Sequence, residues 1–568
     1  MSSLISCVAW VKRGVSAQHP NKYVLDDKEL ERVAELAHIE LEDARTELMR
    51  AHAAAQSMGQ EPETDNVEEG DEDSESGWVD EDDDVPMDED GAAPQKGKKS
   101  KGDLSEYNLD HYDEEEDAAG QLGPFSSRKG LTFYRDNNED PYITLKEDEE
   151  DDEREDLEVL PSDNMLATAK TEDDVSQLEV YVYDDSSENL YVHHDLMLPN
   201  FPLCLEWLDF PPLTASSSST APPSDAMDED APAPRQFGNY IAVGTMDPEI
   251  EIWSLDVVEA IYPDAVLGRP DKTAAHVPVP AGTGKKKKKK AKHRAVEAAH
   301  HVDAVLGLSW NKTARQLLAS ASADRTVKLW DLTRAGEAIR SYDSHKDKVQ
   351  AVQWNGPQDP TTLLTGSYDR TVRVFDSRTA EAQKGATLGA DVEAVRWDPH
   401  DIYGFYVSLE NGIVLNFDTR TLANDLSITQ PPRFTLAAHD GAASALDVNP
   451  HIPGCIVTGG TDKMVKVWNV AGLDNGGKRE VSLVTSRDLG VGKVFSASFS
   501  PDDPLTLAAA GSKARLQIWD VGANAGARKA FAPKLSALGR ALRERSGAGV
   551  VGVVDDAESS DGEGGDDE

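Results

Sequence analysis

Residues 344–378, SHKDKVQAVQWNGPQDPTTLLTGSYDRTVRVFDSR, decide how this chain is organised. Two runs rich in β-branched and aromatic residues, VQAVQW and TVRVF, flank a third, LLTGS. Pro, Asp and Gly punctuate the gaps, so the stretch reads as three strands joined by tight turns. His345 precedes the first strand, Asp369 sits in the turn before the third, and Phe375-Asp376 ends it. The unit recurs over 302–331 with His301, Asp324 and Trp330-Asp331, and over 440–469 with His439, Asp462 and Trp468.

Aligning strand ends counts the copies. First strands end at Trp10, Trp207, Trp310, Trp354, Trp397, Val448 and Phe499. Third strands end at Tyr183, Trp253, Trp330, Phe375, Phe417, Trp468 and Trp519. In the last five copies the two positions lie 20 or 21 residues apart, whereas the first two copies carry insertions that widen the gap to 173 and 46. Of the ten tryptophans only Trp78 falls outside these columns.

A four-stranded unit cannot bury both faces alone, but seven of them stacked around an axis can. The expected fold is therefore all-β, a seven-bladed propeller with acidic insertions and an acidic tail. A repeat core of about 43 residues with His, Asp and Trp-Asp landmarks resembles the WD40 family. In that family a His, a Ser or Thr, an Asp and a Trp form a hydrogen-bonded chain inside the blade. The resemblance assigns that chain to His301, Ser322, Asp324 and Trp330 in blade three. It is shortened in blade four to His345, Ser367 and Asp369, because Phe375 has no indole N–H. Blade six has His439, Asp462 and Trp468, but Gly460 where the Ser is expected; Asn411 and Lys513 replace the Asp in blades five and seven. Buried networks of this kind fix structure, and none is read as catalytic.

Composition limits the rest. The chain has 568 residues and a formal charge of −48, yet residues 301–530 sum to about −1. The acid is concentrated in 61–160 and in the tail, where such blocks repel themselves and favour disorder. Three cysteines are too few for a disulfide framework. Cys7 and Cys204 share the register of Ala351 and read as small core residues in a reducing compartment. No window approaches 18 apolar residues and the start is too polar for a signal peptide, so an intracellular protein without a membrane anchor is expected.

Residues 1–13 read as the first strand of blade one, completed across the insertion 14–163, with the propeller continuing over 164–530. Inside the insertion, residues 27–56 read as a helix, with Leu30, Val33, Ala37, Leu41, Ala44 and Leu48 on one stripe. That helix either packs on its own propeller or docks another protein. Residues 211–235, rich in Ser and Pro, read as a flexible loop. The lysine-rich loop 282–294 holds Lys285, Lys286, Lys287, Lys288, Lys289, Lys290, Lys292 and Arg294. It reads as a nuclear or nucleolar address before a nucleic-acid tether or a solvated loop. Residues 531–546, with Leu535, Leu538, Leu542 and four basic residues, read as a basic helix, and 547–568 as an acidic disordered tail. Ser560, followed by Asp561 and Glu563, suits an acidophilic kinase such as casein kinase 2.

Catalytic and cofactor motifs do not appear: there is no P-loop, G-x-S-x-G, H-E-x-x-H or paired C-x-x-C. His193-His194 lacks Cys partners and is not read as a metal site. No enzyme activity and no cofactor are expected.

Several stretches outside the repeat narrow the match. SLISCVAWVKRGVS with KYVLDDKELERV, LTFYRDNNEDPYITL, NMLATAKTEDDVSQLEVYVYD, LPNFPLCLEWLD, the lysine run and HVDAVLGLSWN resemble the periodic tryptophan protein 1 family over nearly the whole chain. That resemblance implies a nucleolar WD-repeat scaffold acting in large-subunit ribosome biogenesis and pre-ribosomal RNA processing. The implied partners are ribosomal proteins and pre-60S assembly factors, with non-specific basic contacts to pre-rRNA, and the chain a monomer within larger assemblies. The alternative is a histone-binding, chromatin-associated propeller regulating ribosomal DNA transcription, since histones and ribosomal proteins look alike to a polyanion.

Overall fold

The computed structural model describes residues 3–23, 154–155, 157–173, 175–212, 237–268, 296–334, 336–427, 430–472, 479–540 and 549–553. These form seven four-stranded antiparallel sheets, each contributing one blade of a propeller. The innermost strands are Ser3–Trp10, Pro202–Leu208, Val305–Trp310, Val349–Trp354, Val392–Asp398, Ala445–Val448 and Val494–Phe499. Each touches the innermost strand of the next blade, and that of blade seven touches Ser3–Trp10, so the ring closes.

Residue alternation explains the stacking. In Val349–Trp354, Val349, Val352 and Trp354 are buried while the intervening residues are less so. The second strands, such as Leu317–Ser322 and Thr506–Gly511, are buried almost throughout because blades cover both of their faces. The core is thus a succession of interfaces between blades.

Closure is made by the N-terminal strand. Ile5, Val8 and Trp10 pack with Leu166, Tyr181 and Tyr183 against Ala508, Ala510, Leu516 and Ile518 of blade seven. Trp10 is 9% exposed, close to the 5% of Trp354. Its indole N–H donates to the Ser498 carbonyl at 3.2 Å. Arg13 then crosses the seam: its backbone N–H donates to Asp502 at 2.8 Å, and its guanidinium reaches Asp503 at 2.7 Å and Asn164 at 2.8 Å.

An inner belt ties successive blades together. An innermost strand is an edge whose N–H groups need partners. The residue before the end position of one strand supplies them to the next blade. Glu206 accepts from the Trp310 N–H at 2.9 Å, Ser309 from Trp354 at 3.1 Å, Gln353 from Trp397 at 2.6 Å and Asp447 from Phe499 at 2.9 Å. Arg396 meets Asp447 across blades five and six at 3.4 Å. Burial pushes the Glu206 and Asp447 carboxyls up, opposed chiefly by the Trp310 N–H at Glu206 and by Arg396 at Asp447.

Two expectations at the C-terminal end are corrected. The helix spans Ala525–Ala537 and so begins before the expected 531–546, of which 541–546 lie outside the described residues. Asn524 caps it by accepting from the N–H groups of Gly526 and Ala527, and Gly539, at φ 73°, ends it in the left-handed region. Its buried residues are Ala527, Phe531 and Leu535, whereas Leu538 is 54% exposed. Lys534 donates to the Pro453 carbonyl and to Asn469, so the helix seals the edge between blades six and seven. Residues 547–568 are also not all tail, because Val550–Gly552 pairs with Leu516–Asp520 as the outer strand of blade seven.

The alternating strands divide the loops between two faces. Loops leaving an innermost strand open on what we term the lower face; loops entering one open on the upper face. Ala265–Leu267 is the outer strand of blade two, pairing with Ile250–Ser254. The first two insertions are therefore rooted in lower loops, and the segment between blades two and three is rooted in an upper one.

Candidate functional site

The polar residues singled out by the repeat do meet, in a relay that differs from the expected one by two residues. In blade three His301 Nδ1 lies 2.9 Å from Asp324, and its Nε2 lies 2.6 Å from the hydroxyl of Ser320. The Trp330 indole N–H donates to the same hydroxyl at 2.8 Å. Ser322, the expected member, donates instead to the Asp303 carbonyl and accepts from the Asp324 N–H, which shapes the turn. Thr326, which the sequence reading missed, donates to Asp324 at 2.6 Å.

Blades four and six repeat the correction. His345 contacts Asp369 and Thr365, at 3.1 and 2.8 Å, while Ser367 donates to the Asp347 and Lys348 carbonyls. In blade six His439 contacts Asp462 at 2.9 Å and Thr458 at 2.8 Å, and Trp468 donates to Thr458 at 2.9 Å. This relay is complete despite Gly460, which lies against the imidazole: a Cβ there would come within 2.6 Å of the ring. The signal that could have found the hydroxyl is spacing, since Ser320, Thr365 and Thr458 each precede the aromatic landmark by ten residues.

Donor logic fixes the protonation. With His301 neutral, Nδ1–H donating to the Asp324 carboxylate leaves Nε2 to accept from the Ser320 hydroxyl, which itself accepts from the Trp330 indole. Burial lowers His301, His345 and His439 below the ordinary histidine value, against the pull of Asp324, Asp369 and Asp462. Burial alone would raise Asp324, but hydrogen bonds and charge from His301, with Thr326, outweigh it and hold the carboxyl down to about 2.

Ser320, His301 and Asp324 have the connectivity of a nucleophilic triad, yet the chemistry is closed to them. Ser320 and His301 are both 0% exposed, and the hydroxyl is capped by the Trp330 indole. A nucleophile needs a space where a reacting carbon can sit beside oxyanion donors. Here that space is filled by tryptophan.

Blades five and seven hold without the relay. In blade five Phe405 stacks on Phe417 at 5.6 Å, Trp397 meets Phe405 at 5.7 Å, and Asn416 donates to the Phe405 carbonyl. In blade seven Trp519 lies in a cluster that the helix completes with Phe531 and Leu535. Burial also pushes the Cys7 thiol up to about 12.

Surface chemistry is set by where the long insertions are rooted. On the lower face Asn21–Lys22 pairs in parallel with Val257–Val258, Ala17 N–H donates to Asp256, and the returning chain is tied by Val159 N–H to the Gln18 carbonyl. His193 Nε2 reaches the Leu157 carbonyl at 2.9 Å and its Nδ1 meets His194, so this pair straps the return to blade one. No group of three or more His, Cys, Asp or Glu suited to a metal occurs among the described residues. The lower loops of blades one and two carry Asp184, Asp185, Glu188 and Glu259. The second insertion is pinned where Arg315 binds Asp209 at 2.6 Å and lies 4.3 Å from the Phe237 ring. At the upper root, buried Lys328 donates to the Glu297 carbonyl at 2.6 Å and to Ser341. The expected helix 27–56, the lysine and arginine residues of 285–294 and Ser560 lie outside the described residues, as does most of the loop 211–235.

The model of the WD domain, G-beta repeat, matches residues 294–331, 336–376 and 430–469, which are blades three, four and six, the three with relays. The chain is 40% identical to an uncharacterized WD repeat-containing protein of Schizosaccharomyces pombe, across 94% of this chain and 92% of that one. It is 36% identical to Periodic tryptophan protein 1 of Saccharomyces cerevisiae, across 96% and 92%, and 29% identical to the Periodic tryptophan protein 1 homolog of Drosophila melanogaster, across 93% and 96%. Similarity of this extent runs through the insertions as well as the blades, and the chain belongs to the periodic tryptophan protein 1 family of WD-repeat proteins.

Proposed function

We propose that the protein is a non-catalytic assembly scaffold that works in the nucleolus, in large-subunit ribosome assembly and pre-rRNA processing. The observation that supports this reading is that the two charged segments are rooted at opposite faces of one closed ring. The acid-rich stretch leaves and returns through lower loops of blade one, and the lysine run 285–290 belongs to an upper loop between blades two and three. A ring so equipped can hold basic ribosomal proteins or assembly factors at one face and phosphate at the other. Lysines of this kind neutralise phosphate without reading bases, so contact with pre-rRNA is non-specific and salt-sensitive. Among the described residues the relay triads are sealed from any substrate, which supports a scaffold over an enzyme.

Acid alone suits histone tails equally well, and this supports the second reading, a chromatin-associated propeller acting at ribosomal DNA. Affinity purification of the full chain, with the bound RNA and proteins identified, separates the two. Precursor large-subunit RNA with ribosomal proteins is expected; nucleosomes without that RNA would replace the first reading by the second. Replacing the six lysines 285–290 by Gln is expected to weaken nucleolar accumulation while thermal unfolding stays unchanged. Unaltered localisation would remove the lysine run as the address.

A further inference from the structure

We propose that the upper end of blade seven is an anion-binding surface whose occupant is the acidic segment 554–568 of the same chain. The first argument is register. Among the described residues the outer strand Val550–Gly552 pairs as far as Gly552 opposite Gln517. Outer strands of other blades continue further up: Thr387 reaches Thr371, Ala437 reaches Ile413 and Asp488 reaches Met464. The matching position in blade seven, four residues before the aromatic landmark, is Arg515. The acidic segment begins two residues after Gly552, next to this end of the blade.

The second argument is charge. Lys493, Lys513 and Arg515 are all exposed at this end. The entering loop 489–493, LGVGK, and the turn 512–515, SKAR, contain three cations and no carboxylate. The nearest acid in sequence, Asp488, accepts the Gly490 N–H at 2.8 Å. Loop and turn are fastened together: Lys513 N–H donates to the Val491 carbonyl at 3.1 Å and Lys493 N–H to Ser512 at 2.9 Å. A Cβ on Gly492 would lie 3.1 Å from Lys513 Cγ, so that side chain runs over the loop. In relay-bearing blades the position of Lys513 holds the Asp that binds His, so the substitution exchanges an internal anion for an external cation.

Residues 554–568 contain eight Asp and Glu and no Lys or Arg. Fifteen residues span at most about 50 Å when extended, more than enough to cross one blade end. Glu172 and Asp173 at the upper turn of blade one would repel the segment, whereas Lys463 of blade six, also exposed, would attract it. The segment is therefore directed from blade seven toward blade six. Contacts between exposed charges are screened by salt, so the segment would be displaced by a stronger polyanion.

Zero-length carbodiimide crosslinking of the full chain at about 50 mM and about 500 mM salt tests this, because the reagent joins only touching amines and carboxylates. The expected links join Asp555, Asp556 or Glu558 to Lys493 or Lys513, with several-fold lower yield at high salt. Links chiefly to lysines 285–290, or links between isotopically distinct copies, would assign the segment another partner and overturn the proposal. Absence of links at low salt would overturn it as well.

Discussion

Blades three and five occupy the same ring and share the same strand order, but they are held by opposite means. In blade three a carboxylate, an imidazole, a hydroxyl and an indole form one buried hydrogen-bonded line. In blade five Trp397, Phe405 and Phe417 pack together, buried Val407 stands ten residues before Phe417 where blade three has Ser320, and Asn411 shapes a turn by accepting the Ile413 N–H. Either device supports a blade, because what a blade requires is a filled wedge in which most buried polar groups find a partner. They differ in what breaks them: the aromatic blade fails by volume, the relay blade by loss of a partner or by acid.

The largest expected effect is therefore in blade five. Phe405→Ala removes a ring that is 0% exposed and should cost about 3–5 kcal/mol, read by denaturant unfolding. A cost under about 1 kcal/mol would mean that the stack is incidental. Next is Ser320→Ala, which strands both His301 Nε2 and the Trp330 N–H and should cost about 1–3 kcal/mol. Ser322→Ala should cost less, because it touches only turn contacts. The opposite order would restore the relay expected from the sequence.

That comparison shows where the sequence was legible. The aromatic columns located all seven blades, including the strand Ser3–Trp10 set apart from the rest of its blade by a long insertion. Burying Trp is costly to imitate, so the column stands out. The relay hydroxyl did not stand out. Ser320 and Ser322 are two residues apart on one strand and share a face, so alternation cannot choose between them. Gly460 carried the hint, since a relay that demands a hydroxyl cannot run through glycine, and Thr458 two residues earlier supplies it. The helix Ala525–Ala537 begins before the expected 531–546 because its Gly- and Ala-rich first turns carry no apolar stripe, and its buried positions acquire meaning only against blades six and seven. A three-residue strand such as Val550–Gly552 carries no periodicity to detect.

Acid should sharpen the contrast by a smaller amount. Burial keeps His301, His345 and His439 below the ordinary value, so between those lowered values and about 6.5 the unfolded chain binds more protons than the folded one. Stability from these groups is complete above about pH 6.5 and declines as pH falls below it. The Asp324 contribution, present above its unfolded value of about 3.9, is lost only as pH approaches the folded value of about 2. Hydrogen exchange corrected for intrinsic rates should show blades three, four and six losing protection between pH 7 and pH 5, with blade five unchanged. Uniform loss around the ring would assign the acid response to another source.

The most direct test of the relay is a double-mutant cycle on blade three. Ser320→Ala and Trp330→Phe should each destabilise, and together cost less than their sum, with a coupling of about 0.5–1.5 kcal/mol, because both remove one hydrogen bond. The same cycle with Ser322→Ala should be additive within about 0.3–0.5 kcal/mol. Coupling through Ser322, or none through Ser320, would contradict the account.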